Sequence, residues 1–128
     1  MQIIICQFIY VVNKLVKLNI LLILCLARDF PPHANAGKDI SITLPEKSVR
    51  LYGNGSTDDY GITQYEWVLK TNLPADMQGA RSSILYANNM VEGTYTFQLI
   101  VTDTKNQKDR DDVNVIVNPG NWIIAIMY

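Results

Sequence analysis

The chain has 128 residues, 48% of them hydrophobic and 18% charged, with a formal net charge of -1. That length suits one domain and leaves little room for a second. The near balance of charge excludes a nucleic-acid partner gripped by a basic surface, where each phosphate contact takes a Lys or Arg, and it excludes a highly charged disordered tail.

The average conceals a division. Residues 1–27 hold 21 apolar residues, Lys14, Lys17 and no acid, and they carry both cysteines, Cys6 and Cys25. Their longest unbroken apolar run is Ile20 to Ala27, short of the roughly 20 residues a membrane span needs. The two lysines would fall near the middle of a span covering the whole stretch, where charge is costly. A secretory signal suits the stretch better: Lys14 and Lys17 supply the charge, Leu18 to Leu26 the apolar core, and Cys25 and Ala27 the small residues before a cut. The apolar stretch ahead of the lysines is unusual for a signal. An uncleaved signal anchor, a gene-model artefact and an internal fragment with a spurious start stay open beside it. A cut after Ala27 would leave a domain without cysteine, stabilised by core and sheet pairing alone.

Residues 28–128 carry a charge of -3 and about 40% apolar residues, normal for a soluble domain. Arg28 to Ala36 reads as an extended linker, because Pro31 and Pro32 oppose helix. Short strands follow. Ile40, Ile42 and Leu44 alternate with Ser41 and Thr43 up to Pro45, and Val49 and Leu51 flank Arg50. Gly53 to Gly61 is a polar turn with three glycines. Ile62 resumes burial, and Tyr65, Trp67 and Leu69 then share one face against Glu66, Val68 and Lys70. Leu73 to Ala80 reads as a loop or a poorly paired edge, and Ser83 to Ala87 as a short strand. The strongest strand has Tyr95, Phe97, Leu99 and Val101 alternating with polar residues and Ile100. Asp103 to Gln107 is a turn, and the mixed charges from Lys105 to Asp112 read as a solvated turn. Val113, Val115 and Val117 form the last strand. No segment after Ala27 carries a helical period. About seven short strands predict an all-β fold: an immunoglobulin-like β-sandwich of two packed antiparallel sheets. Its core is expected to hold Tyr65, Trp67, Tyr95, Phe97, Leu99, Val101, Val113 and Val115.

Several segments resemble a known family. Gly37-Lys-Asp-Ile-Ser-Ile-Thr-Leu-Pro45, Val49-Arg-Leu-Tyr-Gly53, Ser56-Thr-Asp-Asp59 and Ile62-Thr-Gln-Tyr-Glu-Trp67 are similar to the opening of a polycystic kidney disease (PKD) domain. Gly93-Thr-Tyr-Thr-Phe-Gln-Leu-Ile-Val-Thr-Asp103 and Val113-Asn-Val-Ile-Val117 resemble its last two strands. Leu51 to Asp59, Gly61 to Trp67 and Met77-Gln-Gly79 are closer to a middle extracellular repeat of the dyslexia-associated, adeno-associated-virus-receptor family of membrane proteins. The resemblance covers residues 31–118. Together with the patterning, it divides the chain into a leader over 1–27, a linker over 28–36 and a PKD-like sandwich over 37–118, whereas the apolar tail over 119–128 departs from the family, in which a further repeat would follow. It also implies a signal segment, several repeats and one membrane span in the full protein. Virus contact belongs to the first repeats of that family and is not carried over to a later one. The chain departs from many PKD domains in having Trp67-Val-Leu-Lys70 where they have Trp-Asp-Phe-Gly-Asp-Gly, a departure the closer group shares.

Chemistry-bearing residues are few. His33 stands alone in the proline-rich segment, without a nucleophile or second histidine nearby in sequence. Asp58 and Asp59 read first as braces for the glycine-rich turn. A calcium site would need Asp39, Asp58, Asp59 and Asp103, or loop carbonyls, to converge into six to eight oxygens. Asn54-Gly55-Ser56 is an N-glycosylation sequon in an exposed turn, although Asn-Gly also suits a tight turn of positive φ. Two functions follow. The first is a non-enzymatic extracellular module for protein–protein contact or spacing, without cofactor or nucleic acid, with neighbouring repeats and unidentified proteins as partners. The second is a calcium-binding or small hydrolytic domain using the loop aspartates.

Overall fold

The computed structural model describes residues 28–121. The apolar leader, with Cys6 and Cys25, and residues 122–128 of the tail lie outside the described residues. Among the described residues seven strands run in order: β1 (Ile40–Thr43), β2 (Val49–Tyr52), β3 (Ile62–Leu69), β4 (Asp76–Gln78), β5 (Ile84–Asn88), β6 (Gly93–Asp103) and β7 (Lys108–Asn118). One sheet has the order β1-β7-β6-β3 and the other β2-β5-β4. Pairing is antiparallel except at one edge, where β1 runs parallel to β7 with Ile40 opposite Val115 and Ile42 opposite Val117. The first and last strands thus point the same way along one sheet.

The long hairpin of β6 and β7 is the centre of the four-stranded sheet, in register from Gly93–Val117 to Thr102–Lys108. Strict alternation along β6 sends Tyr95, Phe97, Leu99 and Val101 inward, and all four are fully buried. Val113, Val115 and Val117 answer them from β7. Leu51, Leu85 and Ala87 cover this surface from the second sheet, with Trp67 between. Each sheet alone would leave an apolar face wet, which their stacking removes. Tyr65 packs against this core and is only half-buried. It stands on the edge strand β3, where β6 covers one side and the register slips between Ile62 and Gln64.

Polar groups of the core are tied to the backbone. Trp67 donates Nε1–H to the Ser82 carbonyl at 3.1 Å. The Tyr95 hydroxyl accepts from Val91 N–H at 2.8 Å and donates to the Pro74 carbonyl at 3.0 Å. Gly53 lies under the core: a Cβ there would stand 2.7 Å from Leu99 Cδ2 and 3.1 Å from Trp67 Cζ2. Only a residue without a side chain lets β2 leave the sheet along that path.

The segment before β1 departs from the expected linker. Residues 31–36 are extended, as two prolines require, yet Pro32, Ala34 and Ala36 are buried on the sandwich and alternate with exposed His33 and Asn35. The compact unit accordingly begins at Pro31.

Candidate functional site

The lead-in segment is held by acids from far along the chain. Ala34 N–H donates to Asp109 Oδ2 and Ala36 N–H to Asp111 Oδ2, each at 2.8 Å. Both aspartates lie on β7 and point to the same side, two residues apart, so they meet alternate amides of an extended neighbour. Side-chain oxygens here replace the carbonyls of a missing ladder. The reading of Lys105 to Asp112 as a solvated turn therefore needs correction: from Lys108 onward it is strand, and two of its acids have structural partners. His33 pairs with Thr57 through both backbone groups, at 2.8 and 3.0 Å. Its exposed imidazole has Nδ1 3.8 Å from Asp109 Oδ2.

The sequon sits beside this segment. Ser56 N–H donates to the Gly53 carbonyl at 3.1 Å, closing a four-residue turn over Asn54 and Gly55. Asn54 is exposed. Neither Asn54 nor Gly55 has positive φ, so the Asn-Gly pair does not form the turn of positive φ that its composition suits. Ser56 is 9% exposed, and its Oγ accepts from Asn35 N–H at 2.9 Å. One residue of the sequon thus faces solvent, and the other locks the lead-in segment.

The four candidate metal ligands are not brought together. Asp39 accepts from Asn114 N–H at 2.8 Å. Asp58 Oδ2 accepts from Tyr60 N–H at 3.0 Å, bracing the glycine-rich loop. Asp103 is buried at the start of its turn, where Oδ1 accepts from Lys105 and Gln107 N–H, each at 2.8 Å. Asn106 takes the positive φ that this turn demands. Among the described residues, no group of three or more His, Cys, Asp or Glu side chains converges. On the sheet surface the hydrogen bond from Lys70, at 2.9 Å, holds the Asp112 carboxyl below the usual range.

A concavity of about 460 Å³ opens between the edge strands of the two sheets. Ile40 and Ile42 of β1 and Val49 of β2 form its apolar part, and Glu46, Ser48 and Arg50 its polar rim. The Arg50 guanidinium lies 5.2 Å from the centre of the half-exposed Tyr86 ring. Sequence patterning did not reveal this cleft, because its walls come from separate sheets.

Comparison with known proteins follows the same boundaries. A family model described as K319L-like, PKD domain matches residues 36–117. The mouse dyslexia-associated protein KIAA0319-like protein is 51% identical over 98 residues, covering 74% of this chain and 9% of that protein. Human low-density lipoprotein receptor-related protein 11 is 47% identical over 91 residues, covering 70% of this chain and 18% of that one. The solution structure of the PKD domain from KIAA 1837 protein superposes with a TM-score of 0.65 at 36% identity, covering 70% of this chain and 88% of that domain. The chain therefore spans less than a fifth of these two curated relatives, and nearly all of the solved domain.

Proposed function

The chain belongs to the K319L-like PKD domain family, a group of immunoglobulin-like β-sandwiches, and from that premise we propose that it is a non-enzymatic extracellular module that contacts other proteins or spaces neighbouring repeats. The observation that carries this reading is where its acids go. Asp39, Asp103, Asp109 and Asp111 each accept a backbone N–H of the sandwich. A carboxylate held by fixed amides is a structural brace, and braces at separate places do not make a catalytic pair or a cation cage. The small share of each curated relative that the chain covers supports a modular role within a longer protein. One of these relatives is a receptor-related protein, which fits a place on the extracellular side of a membrane.

The sequon adds a constraint on timing. The transferase must reach both Asn54 and the Ser56 hydroxyl, and in the folded domain that hydroxyl is engaged with Asn35. Glycan transfer on this reading precedes docking of the lead-in segment.

Thermal unfolding in calcium and in chelator separates this proposal from a calcium-dependent domain. A ligand that binds the native state raises the midpoint by mass action. The module is expected to unfold within about 1 °C of the same temperature in millimolar calcium and in chelator. A rise of many degrees with calcium would overturn the non-metal reading.

A further inference from the structure

We propose that the open edge of β2 pairs with the same edge of a second copy of this chain, with Arg50 of each copy opposite Glu46 of the other. The argument starts from the direction of the backbone. Gly53 N–H donates to the Ser83 carbonyl of the β5 side, and the Lys47 carbonyl accepts from Met90 N–H. Odd positions of this strand therefore turn their polar groups to β5, and Ser48, Arg50 and Tyr52 turn theirs to the free side. Gly37 lies against the Tyr52 carbonyl, so the lead-in segment shields that end. Ser48 and Arg50 remain open, at the mouth of the cleft.

An open edge is a template for another strand. The charges on this one select the occupant. Glu46 and Arg50 are both exposed, both line the cleft, and neither forms an ion pair among the described residues. They lie two positions either side of Ser48. β2 proper begins at Val49, and Glu46 closes the turn before it, its N–H donating to the Thr43 carbonyl at 3.1 Å. A two-fold axis through Ser48 makes that residue face its own copy and brings each Arg50 guanidinium to a Glu46 carboxylate through side chains, with the backbone ladder confined to Ser48 and Arg50. Centring the axis on Arg50 would set two guanidinium groups face to face. A strand from another protein would have to bring an acid and a base in the matching order, whereas a second copy brings them by symmetry. Stacking on Tyr86 holds each guanidinium on the outer face of the sheet. The edge is short, so the association is weak and reversible, in the class of small transient interfaces.

Charge exchange tests this on the 128-residue chain by sedimentation velocity over a concentration series. Arg50→Glu sets acid against acid, and Glu46→Arg sets base against base. Each variant alone is expected to self-associate at least about tenfold more weakly than the wild type, since both cross-strand pairs turn repulsive. The two variants mixed are expected to form a heterodimer, because all four charges then match. The doubly exchanged chain recovers the homodimer. Raised salt weakens every productive pair. Association that is equal in all variants, as the apolar ends would give, overturns the proposal. A wild type that stays monomeric overturns it too and leaves the edge to a strand of different sequence. So does a mixture that associates no better than its components.

Discussion

Tyr95 shows how one side chain joins the core to the loops. Its ring is fully buried, stacked 6.2 Å from Phe97, and its hydroxyl bridges Val91 N–H and the Pro74 carbonyl. Replacing it with Phe leaves the packing nearly unchanged and strands both backbone groups. Tyr95→Phe is expected to lower stability by about 1–3 kcal/mol, read from denaturant unfolding. A loss close to zero would mean that water reaches both groups in the folded state. Ser56 likewise ties one segment to another: its largely buried hydroxyl accepts from Asn35 N–H of the lead-in segment. Alternation alone identifies Tyr95 as inward, but nothing in the local sequence tells that its hydroxyl meets a proline carbonyl 21 residues earlier.

At the scale of elements, the strands differ in how far the sequence discloses them. β6 and the Val113 to Val117 half of β7 are legible because both alternate apolar residues and each strand has partners on both sides in one sheet, whereas Lys108 to Asp112 of β7 carries no apolar residue to mark its phase. β3 is legible in its phase, and Trp67 is buried where the phase puts it. Tyr65 shares that phase and is half-buried, because an edge position exposes what the period alone would bury. β4 has three residues, too few for any period to register. The lead-in segment was the least legible. Its two prolines announce an extended path, but its binding depends on carboxylates 75 residues away. Asp111→Ala is expected to leave Ala36 N–H without its acceptor. The amide of Ala36 should then exchange with solvent many times faster, while Leu99 in the central hairpin keeps its protection. Equal acceleration at both amides would contradict a locally held strap and make Asp111 a brace of the whole sandwich.

For the whole molecule, the division between structural and functional surface follows from the topology. Turns and the lead-in segment engage Asp58, Asp103, Asp109 and Asp111, the central hairpin holds the core, and the gap between the edges of the two sheets forms a cleft whose rim carries Glu46 and Arg50, neither in an ion pair among the described residues. The sequon was readable from three consecutive residues; the cleft was not, since Ile40 and Tyr86 meet only after the sheets stack. The central claim is that this PKD domain works on the extracellular side, and its exposed Asn54 turn is the natural reporter. Mass spectrometry of the chain made in secretory cells tests it most directly. The account predicts a glycan on Asn54 of the wild type and none on Ser56→Ala. A wild-type product without a glycan, retaining residues ahead of Ala27 and recovered inside the cell, would contradict it.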